Sequence, residues 1–333
     1  MNKNIQSLKG IAALIVFFSH GLNMYKCEWV ATLLNKPIHL LYDGQCAVIL
    51  FFVISGFFYY KMEFNWRNYL NGLKKKIKRI YPSFIFIMLL SFMFFNYRLP
   101  YNKILFTDWS NSFWNTTIPV FELFKQMTLI IPSDPNLLNP PIWYMYIEVK
   151  MFILMPLVIG IYNKWSWKGI GPLMTAGIFI NISTSLEVIT IMSIGGIIRY
   201  FIFKKDTFLK MPLLKKYIIF ISGIMLLDIN NILGITPNHY TKIIQAIGGG
   251  CLIGIFYQNR IKLLEAPILL YLGRISYELY LIHFPILLYM KAFTLPSPIY
   301  ILSTFLFSII LASLVHFIIS YYSNCTISLK EKS

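Results

Sequence analysis

Acidic residues are scarce in this chain. Asp and Glu number 13 in 333 residues against 30 Lys and Arg, and all charged types together reach only 13%. Soluble globular proteins carry about a quarter charged residues, so an ordinary water-facing surface is excluded. Cysteine is sparse too. Cys27, Cys46, Cys251 and Cys325 form no CxxC and no metal-ligand spacing, so neither a disulfide framework nor a metal site is expected. Three of the four lie in or beside apolar segments, where free cysteine behaves as a small hydrophobe. No repeat or low-complexity tail is visible. What is abundant is apolar surface: 57% hydrophobic residues, 17% aromatic, and a mean hydropathy of +0.63. These values predict an all-α, polytopic integral membrane protein. A net charge of +17 would suggest nucleic acid in a soluble domain, but here the positive-inside rule explains it better.

Ten apolar segments reach the length of a span, about 17–22 residues each. They lie near 10–26, 45–60, 81–97, 142–162, 169–185, 187–203, 217–234, 243–258, 267–290 and 299–321. With the N-terminus inside, 21 Lys and Arg fall on the inner side, seven fall in outer loops, and Lys150 and Arg274 lie within spans. That threefold bias predicts both termini in the cytoplasm. The basic start resembles a signal peptide, yet His20, Asn23 and Lys26 follow it instead of a small-residue cleavage site, so it reads as a retained first helix. Residues 98–141 form one long outer loop with Pro132, Pro135, Pro140 and Pro141 at its end. A loop of that length is expected to be functional or partly helical. The reading is of one membrane domain over 1–333 without an appended soluble domain.

Five local patterns carry chemistry. Lys9 and His20 lie eleven residues apart in the first span, about three turns, so they share a helix face roughly 16 Å apart. Ionisable groups inside a membrane are costly and mark functional sites by default, although a histidine packing between helices is an equal reading of His20 alone. Phe51 to Phe57 contains Ser55-Gly56, which either supplies a hydroxyl or lets helices approach closely. The run Lys74-Lys75-Lys76-Ile77-Lys78-Arg79 ahead of Pro82 anchors topology on anionic lipid or, more sharply, holds the phosphates of coenzyme A. Trp143, Glu148, Lys150 and Pro156 form a fourth pattern, with a carboxylate one turn into a span. The fifth, from Gly273 to Pro285, holds Arg274, Tyr277, Glu278 and His283. Arg274 and Glu278 are four apart, a spacing that allows pairing along a helix.

In this order the five patterns resemble the membrane-bound acyltransferase-3 family, over nearly the whole chain. The resemblance rests on Lys9-x10-His20, on Phe51-Phe52-x-x-Ser55-Gly56-Phe57, and on Lys76-x-x-Arg79-Ile80-x-Pro82. It continues with Trp143-x4-Glu148-x7-Pro156 and the segment Gly273 to Pro285. Two family arginines are lysines here, at Lys9 and Lys76, which keep the charge but lose the planar fork; Ala47 replaces a glycine. The resemblance implies an acyl-CoA donor, usually acetyl-CoA, with no permanently bound cofactor, and a hydroxyl acceptor on a cell-surface or lipid-linked glycan. It implies a multi-pass protein of the bacterial cytoplasmic membrane, surrounded by membrane lipid and without nucleic acid as partner; homo-oligomerisation stays open.

On that footing His20 is the candidate general base, since imidazole titrates near neutral pH, and Glu148 is the candidate group to orient it. Lys9, Lys75, Lys76 and Arg79 are candidates to hold the nucleotide of acyl-CoA. Ser55, Trp143, Arg274, Tyr277 and His283 are further candidate site residues. A competing reading is a proton-coupled transporter or flippase of a glycan or acyl compound, in which His20, Glu148 and His283 form a proton path.

Overall fold

A computed structural model describes residues 2–29, 39–60, 65–179, 184–205 and 207–330. Lys36, Lys61 and Lys332, counted above in the charge bias, lie outside them, as do residues 180–183 of the segment expected over 169–185. Among the described residues the chain is helical, with no β-strand and one isolated bridge between Tyr25 and Phe106. The main helices are α1 (Lys3–Met24), α2 (Gly44–Tyr59), α3 (Trp66–Asn96), α4 (Val120–Thr128), α5 (Ile142–Trp165) and α6 (Trp167–Phe179). They continue with α7 (Thr184–Lys205), α8 (Leu213–Leu227), α9 (His239–Gln258), α10 (Pro267–Met290) and α11 (Ser297–Lys330).

A helix occupies each of the ten apolar segments. Among the described residues, five helices are long and apolar enough to cross a membrane: Lys3–Met24, Tyr69–Asn96, Ile142–Trp165, Thr184–Phe203 and Ser297–Tyr322. α2, with 16 residues, is a shorter apolar helix. The basic run 74–79, expected at a helix entry, instead lies inside α3, which starts well before the span expected at 81. Lysine and arginine are good helix formers, so the helix continues through them. Pro82, Pro156, Pro172 and Pro285 sit inside helices, as membrane helices tolerate. The long loop 98–141 is partly helical, carrying α4 and shorter turns.

The chain divides into two compact units. The first comprises residues 1–16, 35–70 and 147–274. Within it α2 packs on α7 and α9, α9 packs on α7 and α8, and α6 packs on α7. Side-chain size decides one crossing, since a Cβ on Gly56 of α2 would meet the backbone of Met192 in α7. Likewise a Cβ on Gly273 would meet the Gln6 carbonyl, so the start of α1 and the start of α10 touch backbone to backbone. Small residues allow such approaches in membrane helices. Capping sets the helix starts: Asp43 accepts from Gln45 N and Cys46 N at α2, and Asn238 with Thr241 forms a capping box at α9.

The second unit comprises residues 17–34, 71–146 and 275–333. Its long loop is fastened at several points. Lys26 N donates to Leu105 O (2.9 Å) and Thr107 N to Met24 O (3.0 Å), tying the loop to the end of α1. Trp114 Nε1 donates to Leu138 O (2.9 Å), Asn139 Nδ2 to Leu281 O (2.9 Å) and Tyr280 Oη to Pro141 O (3.0 Å). The last two fix the loop's C-terminal end on α10. Each donor finds its acceptor within the protein, as burial away from water requires.

Candidate functional site

In the second unit, His20 of α1 meets His283 of α10, with Nδ1 of His20 2.8 Å from Nε2 of His283. The rings are nearly parallel, 5° apart, with centroids 5.1 Å from each other. His283 is buried and His20 half-buried. The second nitrogen of His283, Nδ1, lies 3.2 Å from the Leu279 carbonyl one turn earlier. A carbonyl only accepts, so Nδ1 of His283 carries the proton and Nε2 is left with a lone pair. That lone pair takes the Nδ1 proton of His20, which leaves Nε2 of His20 as the basic atom. A backbone carbonyl thus sets the tautomer of both rings.

Aromatic rings surround the pair. Phe284 stands edge-on to His20 at 5.1 Å and Trp109 lies nearly parallel to it at 6.1 Å. Phe17 and Tyr280 flank His283 at 6.2 and 6.1 Å. Trp109 comes from the long loop, and the fastening of that loop to Met24 and Lys26 delivers the indole to His20. The outcome is a neutral, weakly hydrated imidazole pair with one basic nitrogen.

One and a half turns earlier on α10, Glu278 is buried and accepts from Ser83 Oγ (3.0 Å) and faces His316 Nδ1 (3.4 Å). Arg274, four residues earlier and spaced to allow pairing with Glu278, lies over the Tyr271 ring at 5.5 Å. The choice follows burial: Ser83 is buried and His316 half-buried, whereas Arg274 is exposed. Tyr277 donates to the Ile80 carbonyl (3.2 Å), joining α10 to α3. Trp143 is exposed at the start of α5.

In the first unit, Glu148 is buried and Ser55 Oγ lies 3.5 Å from its Oε1. Glu148 and His20 fall in different units, and the polar partner seen on His20 is His283. Lys9 is half-buried beneath the Phe58 ring, 5.7 Å from its centroid. Lys75 and Arg79 are exposed, and Lys76 half-buried, along α3 in the second unit.

Two other ionisable clusters belong to the first unit. His239 places Nδ1 3.0 Å from Glu187 Oε2 and Nε2 3.2 Å from Ile178 O, while Lys242 meets Glu187 Oε1 at 2.9 Å. The ring thus bridges Glu187 of α7 and the Ile178 carbonyl, a holding device between helices. His39, Asp43 and Asp228 bring ligand-type atoms within 4.8 Å of one another. Asp43 already caps α2 with one oxygen and takes Gln245 Nε2 at 3.4 Å with the other.

Sequence reasoning missed four residues of the second unit. His316, Ser83 and Trp109 show no local pattern, because they meet their partners only across long sequence separations. Lys291 reads as an outer topology charge, yet it is 1% exposed. Burial and the charge of Lys103 push its ammonium down to about 7.

Residues 2–321 match a family model described as an acyltransferase domain, that of the acyltransferase-3 family. No curated protein and no solved structure matches the chain.

Proposed function

The chain belongs to the acyltransferase-3 family, and from that premise we propose that it is a membrane O-acyltransferase carrying an acyl group, acetyl foremost, from acyl-CoA to a hydroxyl of a cell-surface or lipid-linked glycan. The observation that carries the reading is the His20–His283 pair. Family membership calls for acyl transfer, and acyl transfer to a hydroxyl needs a base near neutral pH. In this mechanism the acceptor oxygen attacks the thioester carbon while Nε2 of His20 takes the hydroxyl proton. The new C–O bond forms, the C–S bond breaks, and the proton passes from His20 to the departing CoA sulfur. The lone pair of His283 supports the Nδ1 proton of His20 as the ring becomes cationic, and Leu279 O supports His283 in turn.

The nucleotide of the donor is assigned to Lys75, Lys76 and Arg79 of α3, whose cations suit its phosphates. Glu148, with Ser55 Oγ at 3.5 Å, stays a candidate orienting group. The fitting location is the cytoplasmic membrane of a bacterium, where glycan precursors and acyl-CoA are both at hand.

The test is expression of the wild-type chain, His20→Ala and His283→Ala in a glycan-producing host, followed by NMR of purified surface polysaccharide. Ester signals with wild type that vanish in a well-expressed His20→Ala variant support the assignment. Equal ester content in wild type and His20→Ala removes His20 from the chemistry.

A further inference from the structure

Beside the histidine pair, the second unit holds a cavity of about 430 Å³. That is within the range of small-molecule sites, about 300–1,000 Å³. Arg98, Lys103 and Lys291 line it, and no acidic residue does. Lys291 is the unusual member. Its Nζ donates to Tyr101 Oη (2.9 Å), Ser110 O (2.9 Å) and Asn111 Oδ1 (3.1 Å). All three acceptors are neutral, and among the described residues no carboxylate lies within ion-pairing distance. A buried cation without an opposite charge is costly, and an anion in the cavity would remove that cost.

The remaining walls describe what the anion is attached to. Trp114 is buried, with its Nε1 held by Leu138 O, so its ring is a fixed apolar surface. Phe113 also lines the cavity and stands edge-on to Phe284 at 5.1 Å, the same ring that stands edge-on to His20 at 5.1 Å. The cavity therefore adjoins the wall of the histidine site, separated from His20 by two aromatic rings.

We infer that this cavity binds the anionic group, a carboxylate or phosphate, of an acidic sugar in the acceptor glycan. The inference rests on the glycan-acceptor reading above and narrows its substrate class. Lys291 commits its three protons to the protein, so it acts through charge while Arg98 and Lys103, both exposed, make the contacts. Arg98 lies over the Phe95 ring at 4.0 Å and donates from Nη1 to Phe95 O. Its other donors remain to grip a planar anion in fork fashion. The sugar's apolar face rests on Trp114.

The test uses the full chain in neutral detergent, with digalacturonic acid and its methyl ester as probes in isothermal titration calorimetry. The two share the sugar skeleton, and the ester replaces each carboxylate by a neutral group larger by one methyl. The acid is expected to bind at least tenfold more tightly than the ester, and more weakly as salt is raised. Arg98→Gln and Lys103→Gln, both on exposed side chains, are each expected to weaken the acid about tenfold and leave the ester unchanged. Equal binding of acid and ester overturns the inference, as does unchanged acid affinity in the double variant. Doping the micelles with phosphatidylglycerol separates the other source of anions: if only that lipid binds, in a way that depends on Arg98 and Lys103, the site serves a headgroup and the sugar assignment fails. Binding involves no thioester, so acid binding without acyl transfer would sink the acyltransferase reading and keep the cavity. Acyl transfer to a neutral sugar without acid binding would do the reverse.

Discussion

Replacing His283 by alanine removes the lone pair that holds the Nδ1 proton of His20 at 2.8 Å. Two effects follow for a His20 that acts as base: the ring loses its imposed tautomer, and the imidazolium formed during reaction loses a partner. A hydrogen bond to a charged group contributes about 1.5–3 kcal/mol. At about 1.4 kcal/mol per factor of ten, kcat should fall roughly 10- to 150-fold. The neighbour is neutral, so the loss should be smaller than the roughly 10⁴-fold seen when a buried catalytic aspartate is neutralised. Removing the base itself, in His20→Ala, should lose about 10²–10⁴-fold. His283→Gln is expected to recover part of kcat, because its amide oxygen can accept from His20. The assay is thiol release from acetyl-CoA by protein in proteoliposomes with glycan acceptor, alongside thermal melting of each variant. KM for acetyl-CoA should stay near wild type in both His283 variants. An unchanged kcat in a folded His283→Ala protein refutes the relay. So would equal losses in His283→Ala and His283→Gln, since that pattern reports packing.

Three further outcomes are expected. Gly273→Ala places a Cβ against the Gln6 carbonyl, an overpacking that should cost about 1–3 kcal/mol; a clearly lowered Tm in detergent is the readout, and an unchanged Tm contradicts the contact. Lys291 sits at about 7 when folded against about 10.4 when unfolded. Between those values the unfolded chain holds a proton that the native chain has shed, so stability rises with pH across that window and is flat in this term below it. The Tm of wild type minus that of Lys291→Met should therefore climb between pH 7 and pH 9.5 in the absence of anionic ligand, and a flat difference argues against a desolvated ammonium. In the Glu278–His316 pair, His316→Leu should destabilise more than Glu278→Gln, because the first strands a buried carboxylate; comparable melting points would show that the pair contributes little.

Much of the fold is legible in composition and run length, because a membrane helix must satisfy its own backbone and therefore announces itself as an apolar run. The segments around 142–162, 187–203 and 299–321 became α5, α7 and α11 on that logic alone. The ends were less readable. α3 absorbed the basic run 74–79 and α9 began at His239 behind its capping box, since propensity and caps act where hydropathy is silent. The role of Gly56 was half-visible: the small residue was plain, but not that Met192 would fill the space beside it.

By itself the sequence determined that the chain is an apolar, helical membrane protein, and its ordered motifs pointed to the family that the match over residues 2–321 bears out. It marked His20 and His283 one by one, as costly groups in apolar runs. Only the tertiary structure decided that they meet, that Leu279 sets their protons, that Glu278 turns to His316 and Ser83 instead of Arg274, and that Lys291 is buried. The physical reason is range. Hydropathy and helical periodicity act over a turn or a span and are written locally, whereas a hydrogen bond between residues 263 positions apart depends on how helices pack, which no local pattern encodes.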